Sequence, residues 1–154
     1  MAIDERERTW RRELVKRHVA AENAHDLTAI MATFSPHAIS VVNGSVSTTP
    51  ESIRQQHALF GLSEQPGVMS NLQVVHEVEH FSDDEIIYEG HFTGVHAGAA
   101  PGFPAPTGRT VELPYVVVYR FDRAGLLVSE SARIELSSLY RAVAPQSPAP
   151  GVTP

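Results

Sequence analysis

The residues of this chain that are best suited to chemistry are histidines, and one of them stands at the edge of a long loop. His96 ends a predicted strand that begins near Glu85, and the residues 97–110 that follow are dense in Gly, Pro and Ala. Gly and Pro break regular structure and set turns, so this segment predicts a long hairpin-type connection to a strand near Val111. A rigid sheet commonly presents working side chains at such strand ends, which makes His96 a candidate functional residue.

Two further histidines lie on one predicted strand. His76 and His80 have the same parity as the apolar Val74, so the alternation predicts both on the apolar face of a half-buried strand. Their Cα atoms would be ~13 Å apart, which is too far for them to share one ion. A metal would need His57 or His96 to complete a site with one of them, and the sequence predicts no metal site.

Composition excludes several other kinds of chemistry. The 154 residues include no Cys, which excludes disulfides, thiolate metal sites and cysteine nucleophiles. The net charge of -6 disfavours nucleic acid as a partner. The charged N-terminus does not resemble a secretory signal, and no apolar run approaches the ~18 residues of a membrane span. Phosphate-loop and nucleophile-elbow settings are also missing. We therefore expect a cytoplasmic protein without nucleic-acid or membrane partners.

Two helices are predicted to open the chain. Apolar residues recur at three- and four-residue steps over residues 4–24, and this stripe also carries His18 and Glu22. Asp26 can cap a second, short helix, which Pro36 is expected to end.

A third helix is predicted over residues 51–60. Thr49 can cap it, and Pro50 suits the first helical position. His57 and Phe60 lie near one face of this helix, so both are candidates for the wall of a pocket.

The second half of the chain alternates between apolar and polar residues, as strands do. After a short strand, the pattern predicts four longer strands joined as hairpins. The predicted strands cover residues 38–42, 72–80, 86–96, 111–121 and 126–136. Tyr88 and Phe92 share the parity of His96, and Tyr115 lies on the apolar side of the next strand.

Helices followed by a meander of strands indicate an α+β domain. We expect a cone-shaped, curved antiparallel sheet that wraps around the N-terminal helices and encloses a pocket for a small molecule. The domain is predicted to cover residues 1–144, and the Pro-rich residues 145–154 are predicted to form a disordered tail.

Four segments of the chain, taken in order, resemble one known family. They are residues 19–41, TPESIRQQHALF at 49–60, TGVHAG at 93–98 with PTGR at 106–109, and ESARIELSSLYR at 130–141. The TGVHAG and PTGR pair is the most specific of them. In order and spacing, residues 13–143 resemble the SnoaL-like polyketide cyclases of the nuclear-transport-factor-two-like superfamily.

The resemblance implies a homodimer without a cofactor that closes a ring by an intramolecular aldol reaction. A carboxylate on the last strand would remove a proton from an activated carbon, and a histidine would hold or polarise the substrate. Where the family commonly has an Asp, this chain has Glu135, so Glu135 is the predicted base and His96 its predicted partner. Strand parity leaves an alternative open, since Glu130 faces the same way as Ile134 and Glu135 the opposite way unless a bulge intervenes.

The predicted function is therefore that of a small enzyme acting on a bulky, mostly apolar carbonyl compound. General acid/base proton abstraction would lead to cyclisation, isomerisation or dehydration, which are lyase or isomerase reactions. The predicted substrate-binding residues are His57, Phe60, His76, Tyr88, Phe92, Tyr115 and Arg133. Two alternatives stay open: an epoxide hydrolase of the same fold, with Arg133 and Glu135 activating water, and a module that only binds a ligand or dimerises.

Overall fold

The computed structural model describes residues 4–143. In chain order the helices are α1 (Glu5–Asn23), α2 (Leu27–Met31), α3 (Pro50–Phe60) and α4 (Ser137–Val143). The strands are β1 (Phe34–Val42), β2 (Ser45–Ser47), β3 (Met69–Phe81), β4 (Glu85–His96), β5 (Thr110–Phe121) and β6 (Leu127–Ile134). The tail predicted for residues 145–154 lies outside the described residues. No helix within residues 4–143 is both long and apolar enough to cross a membrane.

Local capping sets the ends of the helices. The Asp4 side chain accepts a hydrogen bond from the backbone N–H of Glu7 and begins α1. Thr49 and Ser52 form a reciprocal capping box that begins α3, and Gly61 ends it in the left-handed region at φ 119°. These findings confirm the predicted first and third helices.

The prediction that Pro36 ends α2 is wrong, because α2 already ends at Met31 and Pro36 lies inside β1. The pairing of β1 with β6 shifts register between Phe34 and Ile39. Proline has no N–H to donate to a regular strand ladder. It is tolerated at this position because the ladder is interrupted here.

The six strands form one curved, unclosed sheet with the order β2-β1-β6-β5-β4-β3. Neighbouring strands are antiparallel except β1 and β6, which are parallel. One face of the sheet packs on the helices, with α1 against β3 and α3 against β1. This arrangement confirms the α+β fold predicted from the sequence. The predicted long connection spans residues 97–109 between β4 and β5, which pair as a hairpin.

Strand β3 departs from simple alternation. Its pairing with β4 shifts register between His76 and Val78, so that Glu79 pairs with Tyr88 and His80 with Ile87. Beyond this bulge, Val78 and His80 lie on the outer side of the sheet, where His80 contacts Glu89. The prediction that His76 and His80 share an apolar face is therefore wrong, because one extra residue reverses the facing of all that follow.

Gly90 of β4 lies opposite this bulge and allows the backbones to approach. A Cβ atom at position 90 would lie 1.9 Å from the carbonyl oxygen of Val75. Gly90→Ala is expected to lower the free energy of unfolding by about 2–3 kcal/mol, because backbone must move to relieve the overlap. Urea denaturation would measure the change, with Glu89→Ala on the exposed face as the control. Equal midpoints for wild type and Gly90→Ala would contradict the expectation.

Candidate active site

A cavity of about 480 Å³ opens between the sheet, α1, α3 and the connection that follows β4. Its wall is mostly apolar and includes Val42, Leu59, Phe60, Leu62, Phe92 and Phe103. Three ionisable side chains, Glu22, His57 and Glu130, line the same cavity. An apolar cavity with a few convergent polar groups is the usual form of a small-molecule site.

The polar end of this cavity is a cluster of four buried side chains, His18, Glu22, His57 and Glu130. His18 Nε2 lies 3.5 Å from Glu22 Oε1 and 3.4 Å from Glu130 Oε1. His57 Nε2 lies 3.4 Å from Glu130 Oε2. The exposed fraction of these side chains is 0% for His18, 4% for Glu22, 5% for His57 and 8% for Glu130. We call these four residues the His–Glu cluster.

Helix α1 contributes His18 and Glu22. They are one turn apart and therefore lie on the same face of the helix, which packs on the sheet. The hydroxyl of Thr33 donates to the carbonyl oxygen of Ile30, so it accepts at 2.8 Å from Nδ1–H of His18. The imidazole is thereby fixed with Nε2 toward the two carboxylates.

Helix α3 and strand β6 contribute the other two members. His57 Nδ1 lies 2.8 Å from the carbonyl oxygen of Ile53, which can only accept, so Nδ1 carries a hydrogen. Glu130 shares its facing with the buried Ala132 and Ile134. Strand alternation therefore directs Glu130 into the cavity.

The four groups control each other's charge. Burial alone would lower the pKa of His18, but Glu22 and Glu130 raise it to about 10. Burial also opposes the charged form of His57, yet the adjacent Glu130 raises its pKa. Burial alone would raise the pKa of Glu130, but the imidazoles of His18 and His57 hold it well below its usual range. At neutral pH the cluster thus contains an ionised Glu130 beside a protonated His18.

Three of the sequence-predicted site residues do line the cavity. They are His57, Phe60 and Phe92, and the two phenylalanines contact each other with ring centroids 5.3 Å apart. His57 and Phe60 lie on α3 and Phe92 lies on β4, so packing of α3 on the sheet brings them together from distant parts of the chain.

Glu135 and Arg133 lie elsewhere. Both are exposed, and the Glu135 carboxylate accepts a hydrogen bond from the backbone N–H of Ser137 at the start of α4. The expectation of an acid at position 135 inside an apolar pocket is therefore wrong in its geometry. No bulge intervenes between Glu130 and Ile134, so alternation places the odd-numbered Glu135 on the outer side, and Glu130 is the acid of β6 that lines the cavity.

His96 faces the same side as Tyr88 and Phe92, as its parity predicts, and is fully buried. Its Nδ1 lies 3.4 Å from Thr107 Oγ1, and its backbone N–H and C=O both bond to the connection that follows β4. His96 is not among the residues that line the cavity. It therefore closes the base of that connection and does not meet Glu130 or Glu135.

The other predicted substrate contacts form an aromatic layer in the core. The His76 ring stacks on Tyr88 with centroids 4.0 Å apart and lies 6.0 Å from Tyr115. These three residues are not part of the cavity wall. Burial raises the pKa of Tyr115, and the charges of Glu22 and Glu130 raise it further, so its hydroxyl keeps its proton.

The His76 imidazole is expected to make the fold sensitive to acid. Burial lowers its pKa to about 4, and its Nε2 has no hydrogen-bond partner. In the unfolded chain the His76 imidazole takes up a proton near pH 6.5, whereas in the folded chain it does so only near pH 4. Protonation therefore favours the unfolded state between these values: the contribution of neutral His76 to folding stability is fully present above pH 6.5 and is lost as the pH falls toward 4. His76→Phe, which keeps the stacking, should reduce the loss of stability between pH 7 and pH 5 by about 1 kcal/mol, a value that allows for partial exposure. Urea unfolding of both proteins at the two pH values measures it, and identical losses would contradict it.

His18 and Glu22 are not among the site residues predicted from the sequence. The signal was present, because both residues interrupt the apolar stripe of α1 one turn apart. Two ionisable residues on the buried face of a helix need partners from another element, and here those partners come from α3 and β6.

Comparison with known proteins agrees with this architecture. A model of the SnoaL-like domain matches residues 15–130, whereas no curated protein gives a significant match. Similar solved structures include a candidate SnoaL-like polyketide cyclase from Jannaschia (23% identity, TM-score 0.75, 89% of this chain and 94% of that one). Another is a hypothetical protein with a ketosteroid isomerase-like fold from Catenulispora acidiphila, in complex with trimethylamine (20% identity, TM-score 0.66, 84% and 91%). A third is an NTF2-like protein of unknown function from Burkholderia pseudomallei (14% identity, TM-score 0.68, 88% and 98%).

Because these structures are only 14–23% identical to the chain, their similarity supports the fold alone. The family model, however, matches residues 15–130, which are most of the sequence. The chain belongs to the SnoaL-like domain family.

Proposed function

We propose that this protein is an enzyme that removes a proton from a carbon next to the carbonyl group of a bulky, mostly apolar compound. The observation that carries the proposal is the pairing of Glu130 and His57 at the polar end of an apolar cavity of about 480 Å³. A cavity of this size can enclose a drug-sized molecule.

Glu130 is the proposed base and His57 the proposed acid. The carboxylate of Glu130 takes the proton from carbon, and the electron pair moves to the carbonyl oxygen. His57 donates its Nε2 hydrogen to that oxygen as negative charge develops there. When the imidazolium gives up its proton, Glu130 loses one of the charges that lower its pKa, so it holds the abstracted proton more firmly.

The enol formed in this way has three outcomes, and in each the hydroxyl proton returns to His57 as the carbonyl forms again. Attack of the enol carbon on a second carbonyl of the same molecule closes a ring, and the new alkoxide takes the proton from Glu130. Transfer of that proton to another carbon of a conjugated system gives an isomer, and its transfer to a departing β-hydroxyl group gives dehydration with release of water. Phe60 and Phe92, which form part of the apolar wall, are the proposed contacts for the ring system of the substrate.

The test measures the first step and needs no knowledge of the natural substrate. A panel of bicyclic and polycyclic ketones and β-diketones is incubated with the protein in deuterated water, and loss of the proton signal next to the carbonyl is followed by NMR. The proposal expects exchange well above the uncatalysed rate for part of the panel. Exchange at the uncatalysed rate for every compound would count against it.

Hydrolysis of an epoxide is a second candidate, because Glu22 gives the cavity a second acid beside Glu130. One carboxyl group could then activate water while the other protonates the epoxide oxygen. Incubation of epoxides in ¹⁸O-labelled water separates the two reactions, since hydrolysis alone places the label in the product.

A homodimer is also part of this proposal. The outer side of the sheet exposes three valines, with exposed fractions of 37% for Val75, 46% for Val78 and 41% for Val116. Val78 and Val116 both pair with Glu89 and so lie in one row across the sheet. Glu89 lies between them, so this row combines apolar and charged side chains, and its two valines are the proposed apolar contacts with a second copy of the chain. Val116→Lys should shift the mass measured by sedimentation from dimer to monomer.

A further inference from the structure

We propose that the His–Glu cluster binds one divalent metal ion of the zinc class. The inference goes beyond the proposed reaction, which is assigned to the metal-free protein, because a bound ion would replace the proton on His57 Nε2 and would occupy the carboxylate of Glu130. His18, Glu22, His57 and Glu130 each offer one ligand atom, and these atoms all lie within 4.8 Å of one another. Two imidazole nitrogens and two carboxylate oxygens form a ligand set that suits Zn²⁺ and neighbouring transition metals.

The distances inside the cluster fit ligands around an ion better than they fit hydrogen bonds. The three contacts between imidazole Nε2 and carboxylate oxygen are 3.4, 3.4 and 3.5 Å. A charge-assisted N–H···O bond is shorter, at about 2.7–2.9 Å. A tetrahedron with metal–ligand bonds of about 2.0–2.1 Å has edges of about 3.3–3.4 Å, close to these three distances.

The same chain contains a histidine–glutamate pair that does form a hydrogen bond. On the outer side of the sheet, His80 Nε2 lies 2.7 Å from Glu89 Oε1. His91 Nδ1 lies 3.4 Å from Glu77 Oε1, a spacing like that in the cluster, but those side chains are 18% and 57% exposed to solvent. The cluster differs in combining this spacing with side chains that are at most 8% exposed.

Both imidazoles present the nitrogen that a metal needs. His18 donates Nδ1–H to Thr33 Oγ1 and His57 donates Nδ1–H to the carbonyl oxygen of Ile53. Metal-binding histidines are commonly fixed in this way by a partner on the second nitrogen. The Nε2 lone pairs of neutral imidazoles would then point to the centre of the cluster.

Two atoms of the cluster also have unused bonding capacity. His18 Nε2 and Glu22 Oε2 are buried and make no hydrogen bond, although the side chains are 0% and 4% exposed. A buried polar atom without a hydrogen-bond partner lowers the stability of the folded state. A divalent cation would satisfy them and would balance the two carboxylate charges within a buried site.

The test is a metal titration of the untagged 154-residue chain after removal of metal with EDTA. Zn²⁺ is added in competition with a chromophoric chelator of about micromolar affinity, and one equivalent per chain is expected to bind more tightly than the chelator. Co²⁺ is added in a parallel sample, because a four-coordinate site gives far stronger visible absorption than a six-coordinate one. His57→Ala should weaken Zn²⁺ binding by at least about 100-fold, since loss of a ligand should cost no less than loss of its supporting partner. His80→Ala, outside the cluster, should bind as the wild type does.

Glu22→Gln is the second variant, because it keeps the shape of the side chain and protects the test if His57→Ala does not fold. Stoichiometric binding that is lost in either folded variant supports the proposal. Failure of folded wild type to bind Zn²⁺ and Co²⁺, or unchanged affinity in a folded cluster variant, overturns it. Proton exchange by the EDTA-treated protein is recorded separately, so failure of the metal site and failure of the proposed reaction are distinguishable.

Discussion

Glu130→Gln should lower the rate of proton exchange next to a carbonyl by roughly two to four orders of magnitude, the contribution of a well-placed general base. Glutamine keeps the size of the side chain but cannot accept the proton. Glu130 is the acid of β6 that faces the cavity, and it lies 3.4 Å from His57. The measurement is the NMR exchange rate with the best ketone of the panel, at saturating concentration, so that weaker binding does not imitate slower chemistry.

Glu135→Gln is the matched control, because it makes the same chemical change five residues away on the exposed side. Its carboxylate accepts from the Ser137 N–H and does not line the cavity. We expect exchange close to the wild-type rate. A large loss in Glu135→Gln with little change in Glu130→Gln would contradict our assignment and favour the base predicted from family resemblance.

His18→Leu should lower the free energy of unfolding of the metal-free protein by about 3–5 kcal/mol, because it leaves buried carboxylates without their cationic partner. His18 is fully buried and contacts both Glu22 and Glu130. Leucine is similar in volume, so little of the loss should come from a cavity. Urea denaturation in EDTA measures the change.

A second substitution tests the cause. Adding Glu130→Gln to His18→Leu removes one of the stranded charges and should restore a large part of the lost stability, which a loss of packing would not do. His80→Leu is the surface control, since His80 and Glu89 are 52% and 54% exposed. His80→Leu should lower the free energy of unfolding by less than about 1 kcal/mol, because exposed ion pairs contribute little to stability. A double variant no more stable than His18→Leu would contradict the electrostatic explanation.

Much of the fold could be predicted because its signals are local. Asp4 and Thr49 begin helices through bonds to residues three positions ahead, and the glycines and prolines of residues 97–109 allow only a loop. Strand β6 alternates without interruption over residues 129–134, so parity predicted correctly that Glu130 faces with Ile134.

Predictions were wrong where one residue changed the pairing. The bulge after His76 moves His80 to the outer side, although its sequence pattern continues unchanged. A bulge is decided by how two strands fit together, as at Gly90, where the missing Cβ lets the Val75 carbonyl approach. The parallel pairing of β1 and β6 likewise depends on the path of the chain between them and leaves no local signal.

By itself, the sequence determined the first and third helices, the long hairpins, the connection after β4 and the direction in which Glu130 faces on β6. It did not determine which acid and histidines meet, because His18, His57 and Glu130 come from α1, α3 and β6, and their distances exist only once these elements pack. Periodicity fixes the direction of a side chain relative to its own helix or strand. Contact between side chains depends also on the position of one element against another, and that was decided by the tertiary structure.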